Sequence, residues 1–429
     1  MAPLTPVFCE PAHDLPLVDL FLIARTGAQY DPPGREGGLN LALRTLRRGT
    51  RNRSAREIDA LIDRLGAELS TSVDASSAML HAAVIRRNVP ALLDLLSDLM
   101  SEATLPDAEI AQVRREVQAD IVDGRDDDRS LAGRHFRRAL FAGHPYGQPA
   151  AGTLQGLNGV DRTAALTAFQ KTFCRDNLVV AAAGDISREE LEGFSARIVP
   201  NLSSHPAPPS KIEAPKPVRG RRLLIVDKPD RTQTQIYIGN LGSHPRDRDH
   251  FALMVGNTLF GGTFTARLMR EIRSKRGLSY GASSRLGRDR ARESWSMWTF
   301  PAAADAARCV GIQLSLLERL LDKGATAREV SFARSYLTRS YAFERDTASK
   351  RLWQRLDVEL LDLPKSYYAE YVERVNAVTV DDVNEALRRR LSAEDLLITV
   401  VATAETLRAP LEGAIPRLRD TQVVPFDHD

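Results

Sequence analysis

Leu15 to Gly27 reads LPLVDLFLIARTG, an apolar run that stops on glycine. Gln233 to Gly242 reads QTQIYIGNLG and does the same. Short apolar runs closed by a turn residue read as buried strands. Outward from this pair, further segments recur in the same order. Asn177 to Asp185 (NLVVAAAGD) is echoed by Asp395 to Thr403 (DLLITVVAT). Leu105 to Ile121 carries Ile110, Val113, Val117 and Ile121 on one stripe at helical spacing, and its counterpart is Ala325 to Tyr341. Matched positions lie about 215–220 residues apart. That period is too long for a solenoid and describes one α+β unit used twice.

Local signals inside the first unit agree with this. Ser54-Ala55-Arg56-Glu57 is a capping box, in which the serine oxygen accepts an orphan N–H and the glutamate reaches back. The helix that follows is expected to bury Ile58, Leu61, Ile62 and Leu65 and to stop at Gly66. Leu69 to Val73 and Ala78 to Ile85 read as a hairpin turned at Asp74-Ala75-Ser76-Ser77, with helices following near Pro90–Met100 and Pro106–Ile121. The expected fold class is α+β: two homologous domains, each a mixed, mainly antiparallel sheet with helices packed on one face. Ser203 to Gly220 separates them and carries Pro206, Pro208, Pro209, Pro215 and Pro217, which reads as a semi-rigid linker. The expected domains are therefore residues 1–202 and 221–429, joined by residues 203–220.

Composition excludes several functions. Lys and Arg number 59 against 56 Asp and Glu, a net charge of only +3, which argues against a dedicated nucleic-acid binder. The arginines Arg44, Arg47, Arg48, Arg51, Arg53 and Arg56 have no interleaved aromatics for base stacking and read as a solvated or partner-facing surface. Cys9, Cys174 and Cys309 are too far apart for a disulfide framework or a zinc ribbon. The eight histidines show no metal-ligand spacing. The acidic run Asp123 to Asp128 does not meet calcium-loop spacing, and no phosphate-binding loop, dinucleotide fingerprint or nucleophile elbow is present. No run of about 18 apolar residues occurs, so no membrane-spanning helix is expected. Met1 to Pro6 carries no secretory signal, which leaves the compartment open between cytoplasm and, had a leader been removed, periplasm.

One segment suggests chemistry: Gly261-Gly262-Thr263-Phe264, then Arg273, then Gly277-Leu278-Ser279-Tyr280. The glycine pair permits close backbone approach. A helix with Leu268, Met269 and Ile272 facing inward is expected next, broken at Gly277, so that Tyr280 folds back towards Arg273. An arginine donor beside a tyrosine hydroxyl could hold a carbonyl oxygen as it gains negative charge. The same residues also read as a surface arginine and a strand-start tyrosine, and their types alone do not choose.

Five stretches, in order across both halves, carry a family resemblance: Gly27–Gly37 (GAQYDPPGREG), Gly49–Ile58 (GTRNRSAREI), His144-Pro145-Tyr146-Gly147, Gln233–Leu241 and the Gly261–Tyr280 block. The chain resembles the pitrilysin/insulysin family of zinc peptidases, the inverzincins, and looks closest to their short bacterial, mitochondrial-processing-peptidase-like branch. The resemblance implies a duplicated α+β unit that forms half of a clamshell. The family's H-x-x-E-H zinc motif falls on Asn40, Leu43 and Arg44, and its third ligand falls on Asp120. Both histidines and the general-base glutamate are absent, so no metal or other cofactor is expected in this chain. The family's C-terminal arginine and tyrosine fall on Arg273 and Tyr280, and its glycine-rich substrate loop on Gly261, Gly262, Thr263 and Phe264, in shortened form.

The resemblance thus implies the non-zinc subunit of a heterodimeric metallopeptidase, inactive alone. A zinc-bearing H-x-x-E-H subunit of the same family would be its partner, and unfolded peptides its substrates. The alternative is a catalytically inactive scaffold or peptide-binding member of the same fold.

Overall fold

The computed structural model describes residues 5–206, 208 and 212–428. The middle of the proline-rich stretch, residues 207 and 209–211, lies outside the described residues, and with it Pro209 of the expected linker. The chain divides into two compact units.

The first unit is built on β1 (Val7–Pro11), β2 (Leu17–Ala24), β3 (Glu68–Val73), β4 (Ala78–Ile85) and β5 (Leu178–Gly184). Their order in the sheet is β1-β5-β2-β4-β3, with β1 parallel to β5 and the other neighbours antiparallel. The hairpin turn at Asp74 is closed by the Asp74 N–H donating to Ser77 O at 2.8 Å. Successive strand side chains point to opposite faces, so β2 serves two cores. Leu20, Leu22 and Ala24 join Leu80, Ala82, Val180 and Ala182 under the helical layer, which includes Ile58, Ile110, Val113 and Val117. The capping box at Ser54 and Glu57 forms as expected, and the helix Ala55–Leu65 ends at Gly66 in the left-handed region, φ 56°.

Phe21 and Ile23, on the other face, join Val179, Ala181 and Ala183 against Leu352 and Leu356. Those leucines belong to the helix Ala348–Leu360, which comes from the second half of the sequence. Polar contacts fix it there: Arg25 with Glu359 at 2.5 Å, Arg351 with Glu10 at 2.7 Å, and Ser349 donating to Asp19.

The second unit repeats the plan with β6 (Arg221–Asp227), β7 (Gln235–Leu241), β8 (Ala282–Leu286), β9 (Ser294–Thr299), β10 (Leu396–Ala402) and β11 (Leu418–Pro425). The order is β11-β6-β10-β7-β9-β8, the first plan with β11 added beside β6. One face of this sheet meets the helix Asp128–Leu140, drawn from the first half of the sequence. Phe136 stacks on Tyr237 at 5.8 Å between ring centroids, and Lys228 Nζ donates to Asp128 at 2.7 Å. Helices Asp128–Leu140 and Ala348–Leu360 hold the same place in the repeat, about 220 residues apart, and each covers the sheet of the other half.

The compact units are therefore residues 1–121, 148–212 and 344–362, and residues 122–147, 213–343 and 363–429, and not the contiguous spans expected from the linker. The second face of each sheet is covered as well. Its apolar strand residues, alternating with those of the main core, need cover, and the exchanged helix supplies it. Among the described residues no helix is long and apolar enough to cross a membrane.

Candidate functional site

The Gly261–Tyr280 segment lies in the second unit and departs from regular helix twice. Thr258–Gly262 and Arg270–Ser274 are both wound as π-turns, with only Arg267–Met269 α-helical between them. The expected continuous helix is thus replaced by a wider coil, in which Lys275 N donates to Arg270 O and Leu278 N to Ile272 O, each at 3.0 Å. Such insertions are rare and concentrate at functional sites. Leu268 and Ile272 are fully buried and fix the segment's inner side, while Met269 is only partly buried. Arg267 ties the segment to the helix Ala327–Ser340 through two hydrogen bonds to Glu329, at 2.7 and 2.6 Å.

Gly277 then reverses the chain at φ 64°, a conformation that side-chain-bearing residues avoid. The reversal brings Tyr280 back to Arg273, as the spacing suggested, but the contact is made by the ring face. The Arg273 guanidinium carbon lies 4.3 Å from the centre of the Tyr280 ring and 4.5 Å from that of Phe264. The two rings beside it, Tyr280 and Phe264, are themselves 75% and 66% exposed. Among the described residues no carboxylate pairs with Arg273.

The neighbouring acid is engaged elsewhere. Glu271 accepts from Lys275 and from Arg276, each at 2.6 Å, and these donors hold its carboxyl down at about 2. Nothing in the sequence singled out Glu271 as the group that locks this turn, or Phe264 as the second ring beside the guanidinium. An aromatic residue nine positions before an arginine has no fixed spatial relation to it until the π-turns set one.

The four residues expected to form a substrate loop have different environments. A Cβ on Gly261 would sit 2.4 Å from the Ser284 backbone nitrogen, so this glycine is required for the turn to pack against β8. Gly262 has room, since the atom nearest to an added Cβ would be 3.4 Å away. The Thr263 hydroxyl is shielded from solvent and has no hydrogen-bond partner among the described residues. Phe264 projects outward and belongs to the arginine stack.

The positions that answer to a zinc motif lie in the first unit, on the helix Gly38–Thr45. Asp31 anchors the start of that helix by accepting from Gly37 N at 2.8 Å and Leu39 N at 3.1 Å, and burial pushes its carboxyl up to about 6. Asn40 is partly exposed, and Leu43 is buried at 2% exposure in the main core. Arg44 Nη1 donates to Asp120 Oδ2 at 2.5 Å, joining this helix to Asp107–Asp123. Asp120 is therefore engaged by a cation rather than aimed at a metal position.

These residues do not fit a zinc ion. An amide, a hydrocarbon and a guanidinium offer no histidine nitrogen or general-base carboxylate, and the one carboxylate is engaged by a fixed positive charge. Among the described residues no group of three or more His, Cys, Asp or Glu is placed to hold a metal. Of the four positions, Arg44 and Asp120 are brought together as an ion-paired helix contact, while Leu43 is packed in the core and Asn40 lies one turn before Arg44 on the same helix.

Comparison with known proteins agrees with this layout. The family profile described as "Insulinase (Peptidase family M16)" matches residues 10–154, and that described as "Peptidase M16 inactive domain" matches residues 159–337. A protein of Mycobacterium tuberculosis described as an uncharacterized zinc protease is 29% identical over 358 residues, covering 80% of this chain and 79% of its own. A Helicobacter pylori protein described as a non-peptidase homolog is 20% identical over 400 residues, covering 92% of this chain and 91% of its own. The crystal structure of a peptidase M16 inactive domain from Pseudomonas fluorescens has the same fold, with a TM-score of 0.84 at 23% identity over 98% of this chain and 96% of that one. With matching profiles along both halves, a shared fold and no zinc-ligand set, the chain belongs to the pitrilysin/insulinase (M16) peptidase family as a member of the inactive type.

Proposed function

We propose that this chain is the non-zinc subunit of a heterodimeric metallopeptidase that cleaves unfolded peptides. The observation that carries the reading is the contrast within one chain. The zinc-motif positions are filled by residues that cannot bind metal, while Arg273 lies beside two exposed rings with no carboxylate partner among the described residues. A partner of the same family bearing H-x-x-E-H would supply zinc and the water-activating glutamate. In this chain Arg273 donates to the substrate backbone carbonyl and to the oxygen that gains negative charge as the carbonyl is attacked. The Tyr280 hydroxyl adds a second donor, while its ring keeps the guanidinium in place. Donors fixed in advance stabilise such charge without reorganising during the reaction.

Reconstitution tests this. The chain alone cleaves nothing; mixed with its zinc-bearing partner it cleaves unstructured peptides, and a chelator abolishes the activity. Tyr280→Phe retains the ring and removes the hydroxyl, so it lowers kcat while the zinc content of the complex stays unchanged. Full activity in the Tyr280→Phe complex would remove that role.

The second reading is a scaffold that uses the fold without chemistry, favoured by the Helicobacter pylori relative's description as a non-peptidase homolog. It predicts that the complex works equally well with Arg273 and Tyr280 both replaced.

A further inference from the structure

We propose that a cavity in the helical layer of the second unit binds a small organic anion, a carboxylate or phosphate ester carried on an apolar group. The cavity has a volume of about 370 Å³ and is lined from the helices His250–Asn257, Tyr371–Ala377 and Val380–Arg390 and the residues beside their ends. That size suits a small molecule. It shares no residue with the Gly261–Tyr280 segment. Its apolar part comes from Phe251, Val378 and Ala386, all of them buried.

Six charged side chains also line it, and four of them are already engaged. Asp249 accepts three hydrogen bonds from Arg390, at 2.6, 2.9 and 3.0 Å. Glu385 accepts from Arg389 at 2.6 Å, which accounts for both of those groups. Asp382 caps its own helix, accepting from Thr379 N at 2.8 Å and from Thr379 Oγ1 at 2.6 Å. The positive end of that helix offsets part of its charge. Arg248 and Arg374 are left over. Among the described residues neither side chain makes an ion pair or a hydrogen bond. Arg248 is exposed, whereas Arg374 is half-buried, with its guanidinium carbon 4.4 Å from the centre of the Phe251 ring.

An anion entering the cavity therefore meets two cationic donors that no carboxylate of the protein occupies. A carboxylate or phosphate can accept paired N–H bonds from a guanidinium, and such charge-assisted bonds are stronger than neutral ones. A bare ion would use the arginines alone. The apolar residues beside them give a hydrocarbon or aromatic group a surface away from water, so the ligand that uses the whole cavity is an organic anion.

Isothermal titration calorimetry on the full chain tests this with five probes: benzoate, phenyl phosphate, acetate, inorganic phosphate and the neutral benzamide. At least one aryl anion is expected to bind about ten-fold more tightly than benzamide, and the arm that does so identifies the head group. The same anion binds more tightly than its ring-less counterpart, acetate or inorganic phosphate. Arg374→Gln cuts its affinity about ten-fold. Arg388→Gln removes the same charge from an exposed position outside the cavity and leaves the affinity unchanged. Should Arg374→Gln lower the melting temperature, Arg248→Gln carries the same test on an exposed side chain. Ala377→Trp fills the cavity from an exposed lining position and abolishes binding.

No binding, or equal affinity for the aryl anions and benzamide, overturns the site. Equal affinity for an aryl anion and its ring-less counterpart overturns the organic ligand. Equal loss in Arg374→Gln and Arg388→Gln also overturns the site, because a diffuse positive field would then explain the binding. Undiminished binding in Ala377→Trp would put the ligand elsewhere and overturn it too. None of these outcomes bears on the role of Arg273, which lies outside the cavity.

Discussion

Arg44 and Arg273 are both guanidinium groups on helical segments, one in each unit, and the fold treats them in opposite ways. Arg44 finds Asp120 on a neighbouring helix and is neutralised inside the molecule. Arg273 lies against two aromatic rings, which do not neutralise its charge. The acid closest to it in sequence, Glu271, is drawn away by Lys275 and Arg276. A paired charge contributes to packing, whereas an oriented and unpaired one remains available to a ligand. By this measure the first position is closed and the second is open, and each can be challenged separately.

The largest effect is expected where the closed position is forced open. Leu43→Glu puts a carboxylate at a site with 2% exposure and no histidine or metal beside it. It should cost on the order of 3–5 kcal/mol, read from the denaturant midpoint. An unchanged midpoint would mean that this position reaches solvent and is not closed. Next, Arg273→Ala in the reconstituted complex removes an oriented donor and should lower kcat by about 10²–10³-fold. A change below about two-fold would show that the open position is not used.

Glu271→Gln tests why Arg273 is left free. Its folded pKa is depressed, so its stabilising contribution is present above the ordinary glutamate value and lost as pH falls towards about 2. The stability difference between wild type and Glu271→Gln should therefore be flat near neutral pH, where it amounts to about 1 kcal/mol. It should shrink between about pH 4.5 and pH 2. A difference independent of pH across that range would mean that the ion pairs do not lock the turn. The smallest effect is expected from Arg44→Ala. Its side chain and that of Asp120 are 35% and 60% exposed, and such pairs contribute about 0–1 kcal/mol. A loss of several kcal/mol would make the pair a structural keystone and weaken the contrast.

Much of this was legible in the residues. The strands β2, β5, β7 and β10, the hairpin β3–β4 and the stripe Ile110–Ile121 were readable because each is a local pattern with one dominant period. The Ser54 capping box was readable for the same reason, since its partners are three residues apart. The Arg273–Tyr280 approach was partly readable, because Gly277 marks a reversal between them. Its manner was not: the expected pairing of donor and hydroxyl became a guanidinium on a ring face, and Phe264 entered from the preceding turn. The Arg44–Asp120 pair spans 76 residues, and no short-range signal links those positions.

The sequence by itself determined that one α+β unit is used twice, that the histidines and glutamate of a zinc motif are missing, and that an arginine and a tyrosine stand seven residues apart. Only the tertiary structure decided which charges are satisfied and which helices go where. An amphipathic period shows that Asp128–Leu140 and Ala348–Leu360 must each bury a face, but either sheet offers an apolar surface to receive it. The choice, in which each helix covers the sheet of the other half, depends on contacts such as Phe136 with Tyr237 and Trp353 with Phe21. Those contacts join residues more than a hundred positions apart, and they exist only once the sheets have formed.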